Sequence, residues 1–354
     1  MKMAPLLRAL DAYPSIEAVL IHTGQHYDQN LSDVFFEELG MKRPEVSLDV
    51  GSGQHGEQTA RVLERFEDVL RRGTPGGKRY DLVVVVGDVN STMAATLAAA
   101  KLGVKVAHVE AGLRSFDRTM PEEINRVVTD AIADILLVSE PSGVENLRRE
   151  GHAEDRIHLV GNIMIDTLVW LLPRAKARDT HQQYGLQPGR YGLVTLHRPA
   201  NVDTPEILSR LLEVLIDTSR ELPLVFPIHP RTKKRIEQFD LSQRLASAEG
   251  IVQLPPLGYL DFLALSSQAK VIVTDSGGLQ EESTVLGIPC LTARPNTERP
   301  VTVDQGTSTL VGNDPVKLRK CLDEVIQNSY KKGSCPPLWD GMAAKRTATV
   351  LAGA

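Results

Sequence analysis

The stretch Val83-Val84-Val85-Val86-Gly87-Asp88-Val89-Asn90-Ser91-Thr92, with Ala107-His108-Val109-Glu110-Ala111-Gly112 just beyond it, decides the fold. A short apolar run rich in β-branched residues ends in small and acidic ones and passes into a helical pattern. Open α/β sheets place their ligands at such points, outside the carboxyl ends of the strands. Val271-Ile272-Val273-Thr274-Asp275-Ser276-Gly277-Gly278-Leu279-Gln280-Glu281-Glu282 repeats the pattern in the second half. Two such crests predict an α/β protein of two Rossmann-like domains facing a cleft, each holding part of a nucleotide-linked substrate.

On either side of these crests, apolar β-type runs alternate with amphipathic helical patterns, the mark of a parallel sheet covered on both faces. In the first half, strands are expected at Glu17–Thr23, Asp81–Gly87, Val104–Val109, Ile135–Ser139 and Ile157–Val160. Helices are expected at Asp28–Leu39, His55–Arg72, Ser91–Leu102, Pro121–Ala133 and Pro141–Glu150. After a helix at Ile163–Ala177 the rhythm restarts, with strands at Tyr191–Leu196, Leu224–Ile228, Ile251–Leu254, Val271–Thr274 and Pro289–Thr292. The reading divides the chain into domains at 1–165 and 166–335, with 336–354 returning to pack on the first. The chain opens at Met1-Lys2-Met3 as a helix already under way, although a doubly wound domain places its first strand at the sheet centre. The first domain is therefore expected to lack its N-terminal strand.

Bulk properties exclude several classes. The chain has 354 residues, more than one core usually organises. Its 40 basic against 45 acidic side chains give a net charge of −5, and no basic run offers a footprint for a nucleic-acid backbone. No apolar run is long enough to span a bilayer, so no membrane partner is expected. The three cysteines are widely spaced and lack metal-ligand patterns, which points to a reducing, cytoplasmic setting. The histidines lack the paired spacing of a metal site, and no metal or other cofactor is expected.

Asp88 and Glu110 each end a buried strand, and the two strands are neighbours, so both carboxylates are expected at one sheet crest. The plain alternative is that Asp88 caps the helix that follows. Glu122 has a plain reading too, because Thr119-x-x-Glu122 around Pro121 has the form of a capping box, although Glu122 and Arg126 share a helix face at i and i+4. In the second half His197-Arg198 follows a strand, a reasonable place for a diphosphate contact. Ser276-Gly277-Gly278 opens a helix whose free amides form an anion cradle.

Nine ordered pieces carry a resemblance: TGQH (Thr23–His26), GD (Gly87–Asp88), HVEAGLR (His108–Arg114), PEEINR (Pro121–Arg126), GN (Gly161–Asn162), TLHR (Thr195–Arg198), IHPR (Ile228–Arg231), TDSGGLQEE (Thr274–Glu282) and TERP (Thr297–Pro300). In register from Lys2 to about Gly341, the chain resembles the non-hydrolysing UDP-N-acetylglucosamine 2-epimerases. The resemblance implies the two-domain GT-B fold and reversible inversion at carbon 2 of UDP-N-acetylglucosamine without a nicotinamide. It also implies a homodimer. Carbon 2 of a 2-acetamido sugar is not adjacent to a carbonyl, so the family eliminates UDP across carbons 1 and 2, forms a glycal and adds UDP back. That scheme needs acid/base groups and a clamp for the departing diphosphate.

By resemblance, Asp88, Glu110 and Glu122 do the acid/base work and Arg126 orients a carboxylate or the sugar. His197 lies near the leaving phosphate, although Arg198-Pro199-Ala200-Asn201 stands where many members have a second arginine and a glutamate. Glu282 holds the ribose hydroxyls, and Ser276, Gly277, Gly278 and Arg231 contact the uridine or phosphates. Gln25 and His26 belong to the sugar side, and Lys2 is a further substrate-binding residue. The family's usual opening strand and Gly-Thr-Arg-Pro-Glu run are absent before Lys2 and Met3, so the natural polypeptide is expected to start upstream. Other readings are a 2-epimerase of a UDP-2,3-diacetamido sugar, a hydrolysing 2-epimerase, a GT-B glycosyltransferase and a binding-only derivative.

Overall fold

The computed structural model describes residues 1–24 and 38–354 as two compact α/β units, Met1–Thr167 with Pro337–Ala354, and Leu168–Pro336. Most of the helix expected at Asp28–Leu39 lies outside the described residues, as do Gln25 and His26.

In the first unit the strands are β1 (Ile21–His22), β2 (Val46–Ser47), β3 (Leu82–Val86), β4 (Lys105–Ala111), β5 (Ile135–Val138) and β6 (Ile157–Leu159). All pairings are parallel. Side chains of β3 alternate between two cores. Val83 and Val85 join Val62, Phe66 and Leu70 of the helix His55–Arg72, whereas Leu82, Val84 and Val86 pack towards Leu6 and Leu10 of the helix Met3–Leu10 and Ala344 and Ala348 of the helix Ala343–Ala352. Burial on both faces explains the unbroken valine run, since a one-sided strand would alternate with polar residues.

The first sheet is interrupted. β1 and β2 form a two-stranded piece, β3-β4-β5-β6 a four-stranded one, and β1 does not pair with β3. Between them lies a slot of about 290 Å3, lined by Val19, Leu20 and Ile21 on one side and Leu82–Val86 on the other, with Met3 at its margin. The gap falls where a doubly wound sheet has its middle strand. It also accounts for the shortness of β1, expected over Glu17–Thr23 but paired only at Ile21 and His22, because a strand with one neighbour makes half the ladder bonds.

The C-terminal segment is tied to the first unit by specific bonds. Trp339, 2% exposed, donates from Nε1 to the Ser139 carbonyl at 3.0 Å. Asp166 accepts the otherwise unpaired Ala343 and Ala344 amides at the start of the last helix, at 3.1 and 2.8 Å.

The second unit has β7 (Gly192–Thr195), β8 (Leu224–Pro227), β9 (Ile251–Leu254), β10 (Val271–Thr274), β11 (Cys290–Thr292) and β12 (Ser308–Leu310). Their order, β12-β11-β10-β7-β8-β9, is fully parallel and reverses direction between β7 and β10. Val194 faces a core built on the helices Pro205–Ser219 and Pro315–Ile326, and Leu193 faces the other core with Tyr191, Ile272 and Leu279.

Candidate functional site

At the crest of the first unit, β4 carries a bulge. Its register against β5 shifts between Val109 and Ala111, and Glu110 has a left-handed φ of 73°. A non-glycine residue in that region is strained, and a bulge there turns the side chain away from the strand's alternation. Glu110 is 5% exposed; its Oε2 pairs with Lys2 Nζ, whereas Oε1 is buried with no hydrogen-bond partner among the described residues. A Cβ on Gly87 would lie 3.4 Å from Glu110 Oε2, so the carboxylate rests over the end of β3. Gly112, at φ 81°, has no room for a side chain because the Gly143 backbone packs on it.

Asp88 follows β3, and Arg126 donates to its Oδ2 from Nε and Nη2 at 3.0 and 2.6 Å. The following helix, Asn90–Lys101, has Val89 as its N-cap and no side-chain cap bond, so Asp88 does not cap it. Asn125 donates to the Asp88 carbonyl at 2.9 Å and to Asn90 Oδ1 at 3.2 Å, fixing the turn from the neighbouring helix.

Two local expectations need correction. The capping box at Thr119 does not form, since the N-cap of the helix Pro121–Ile132 is Met120 and the Thr119 hydroxyl donates to Asp117 at 2.6 Å. Nor does Arg126 pair with Glu122. Arg126 turns to Asp88 and to Glu123, three residues before it, at 2.6 Å. Glu123 is the structural carboxylate here: it also accepts the Ser115 and Phe116 amides at 2.9 and 2.8 Å. Glu122 is half-buried and separate from that pair.

In the second unit His197 leaves β7 and Asp275 leaves β10, neighbouring strands at the reversal point. Asp275, fully buried, lies 2.8 Å from His197 Nδ1 and accepts the His197 and Arg198 amides at 2.9 and 2.8 Å and Asn201 Nδ2 at 3.0 Å. Burial alone would raise its pKa; the His197 contact and the other donors outweigh that and hold it below the usual carboxylate range. The His229 ring lies 5.4 Å from that of His197 and is pushed towards the neutral form by burial and by His197.

Ser276 is the N-cap of the helix Gly277–Leu286. A Cβ on Gly277 would come within 2.9 Å of Glu298 Oε1, so a side chain here would displace the buried TERP residues packed against this turn. Glu282, one turn into the helix, is 4% exposed and accepts the Tyr259 hydroxyl at 2.8 Å. Burial pushes its pKa up to about 7, with Glu281 adding to the rise and Tyr259 opposing it. Arg231 lies apart from this group, nearly half exposed and paired with Asp203.

Thus Lys2 and Glu110 meet, as do Asp88 and Arg126, while His197 stands at the same sheet reversal as Ser276 and Gly277. Sequence reasoning missed the parts played by Asp275, Tyr259 and Glu123. Asp275 and Glu123 sit inside quoted motifs, and their position next to the crests was the available signal; nothing local marks Tyr259. Among the described residues no group of three or more His, Cys, Asp or Glu side chains is placed to hold a metal ion.

Two parallel α/β units, each ending its central strands in a charged crest, define a protein of the class that handles nucleotide-linked substrates at such crests. A family model described as UDP-N-acetylglucosamine 2-epimerase matches residues 8–352. The chain is 41% identical over 357 residues to a UDP-N-acetylglucosamine 2-epimerase of Methanococcus maripaludis, covering 99% of this chain and 95% of that one. It is 39% identical over 316 residues to a UDP-2,3-diacetamido-2,3-dideoxy-D-glucuronate 2-epimerase of Pseudomonas aeruginosa, covering 88% and 84%. The crystal structure of the Methanocaldococcus jannaschii UDP-GlcNAc 2-epimerase with UDP-GlcNAc and UDP is similar at a TM-score of 0.89 and 42% identity, covering 100% of this chain and 96% of that one. The chain belongs to the UDP-N-acetylglucosamine 2-epimerase family, and its fold class is the parallel α/β, GT-B type of these enzymes.

Proposed function

We propose that the protein interconverts UDP-N-acetylglucosamine and UDP-N-acetylmannosamine without hydrolysis, by elimination and re-addition of UDP. A carboxylate of the first-unit crest removes the carbon 2 proton. The carbon 1–oxygen bond breaks, and UDP leaves with the bonding pair to give 2-acetamidoglucal. A second crest group then delivers a proton to the opposite face of carbon 2, and UDP returns to carbon 1. Asp88, Glu110 and Glu122 are the acid/base candidates, with Lys2 paired to Glu110 and Arg126 to Asp88. His197, oriented through Nδ1 by Asp275, offers Nε2 to the leaving diphosphate, and the amides after Ser276 receive its phosphate oxygens. Glu282 takes the ribose hydroxyls in place of the Tyr259 hydroxyl. Gln25, His26 and Arg231 remain proposed substrate contacts by family position alone, and a homodimer is the proposed assembly.

The observation that carries this reading is the Glu110 carboxylate, lifted out of the strand by a bulge, with one oxygen on Lys2 and the other buried without a partner among the described residues. An acid/base group needs that available lone pair, and a structural carboxylate would have used it. Incubating the protein with UDP-N-acetylglucosamine in heavy water should yield UDP-N-acetylmannosamine carrying deuterium at carbon 2. A retained proton would rule out the elimination route. Free N-acetylmannosamine in step with UDP would mean hydrolysis, and reaction only after adding an acceptor sugar would mean glycosyl transfer. Turnover of the 2,3-diacetamido uronate with none of UDP-N-acetylglucosamine would transfer the reading to that substrate, which the Pseudomonas relative's name supports.

A further inference from the structure

Behind the first-unit crest lies a histidine that the proposed reaction does not use. His108, in the middle of β4, is 0% exposed, and both of its ring nitrogens face acceptors. Nδ1 is 2.6 Å from Asp130 Oδ1, and Nε2 is 2.9 Å from the Gly87 carbonyl oxygen. A carbonyl oxygen can only accept, so Nε2 must carry a hydrogen. Asp130 is fully buried; its other oxygen, Oδ2, accepts the Gly112 amide at 2.9 Å and pairs with Arg114 Nη1 at 2.7 Å. Burial favours a neutral Asp130, but His108, Arg114 and the Gly112 amide outweigh it and hold its pKa below the usual carboxylate range.

We propose that His108 is a positioning residue for Asp88 and Glu110, the two crest carboxylates of the proposed reaction. One bond holds the Gly87 carbonyl, the peptide that leads into Asp88. The other holds Asp130, which in turn grips the amide of Gly112, two residues beyond Glu110. The same ring thus clamps the exits of β3 and β4 and fixes the separation of the two carboxylates. Asp130 and Glu150 face His108 and Arg114, Glu150 meeting Arg114 at 2.6 and 2.8 Å, while Lys2 offsets Glu110 in front of the Gly87 turn. Both ring nitrogens of this buried side chain are satisfied.

The role in catalysis rests on the function proposed above; the hydrogen bonds of the ring do not. Selective 15N labelling of histidine in the full chain, with His108→Asn identifying the signal, should show a hydrogen on Nε2 of His108, where the Gly87 carbonyl accepts it. A His108 without that hydrogen would overturn the proposal whether or not the protein proves to be an epimerase. In kinetics, His108→Asn keeps a donor towards Asp130 and loses the one to Gly87, and His108→Gln does the reverse. Each should lower kcat about tenfold or more while KM and UDP affinity stay within about twofold, as expected when reacting groups move but binding groups do not. Unchanged kcat in both variants, or an equal loss in UDP affinity, would defeat the positioning role.

Discussion

At the scale of single residues the molecule separates carboxylates that hold the structure from those left available. Glu123 and Asp130 have their oxygens occupied by amides, arginines and the His108 ring, whereas Glu110 keeps one oxygen unpartnered among the described residues. Asp88→Asn, Glu110→Gln and Glu122→Gln should each lower turnover about 100-fold or more while UDP binding survives, the scale of a lost positioned acid or base. Steady-state rates with UDP titrations check this, and near wild-type turnover in any one removes its assignment. Glu282 makes a stability prediction. Its folded pKa of about 7 lies above the ordinary glutamate value of 4.5, so the unfolded chain ionises first as pH rises. Wild-type stability should fall between these two values and level off above 7, by roughly 3 kcal/mol for a shift of this size. Glu282→Gln, which still accepts from Tyr259, should therefore exceed the wild type by that amount in urea unfolding at pH 8 and match it at pH 4. An equal difference at both pH values would contradict the cause. Little of this was legible in the sequence: Glu122 and Glu123 are adjacent and chemically identical, and only the helix's rotation decides which one meets Arg126.

Elements were far more legible, because their signals are local. The valine run of β3, the proline at the start of Pro121–Ile132 and the glycine turn before Gly277–Leu286 each declare themselves within a few residues. The strands Val46–Ser47 and Ser308–Leu310 were missed, being two and three residues long and defined only by their neighbours. The bulge at Glu110 was equally silent, since it arises from pairing between β4 and β5. The interrupted sheet carries its own prediction. A two-stranded parallel piece with few ladder bonds is weakly held, whereas β4 has partners on both edges. Amides of Ile21, His22, Val46 and Ser47 should exchange with solvent at least about 100-fold faster than those of Val106–Val109 in native-state hydrogen exchange. Equal protection would show that the slot does not weaken β1 and β2.

For the whole molecule, the two units differ in the chemistry of their crests: acidic groups with cationic partners crown the first, and a helix start with imidazole groups and a buried glutamate crowns the second. That division was legible because the two crest motifs lie in separate halves of the chain; the pairing of particular side chains was not. It predicts separable effects. UDP at a hundred times its Kd should stabilise the protein by about 2.7 kcal/mol. Glu282→Ala should weaken UDP affinity by about 1–3 kcal/mol, the scale of charge-assisted hydrogen bonds, and Asp88→Asn should leave the UDP shift intact. Calorimetric scans with and without UDP test this; loss of the shift in Asp88→Asn with retention in Glu282→Ala would reverse the assignment of nucleotide and sugar to the units. The anchoring of Trp339 has an optical consequence. The chain has two tryptophans, and the indole of this one is shut away from water with its N–H on the Ser139 carbonyl. Its emission should be that of an indole in a dry setting, and a red shift in emission from a Trp170→Phe variant would signal that the last eighteen residues, Pro337–Ala354, have let go of the first unit.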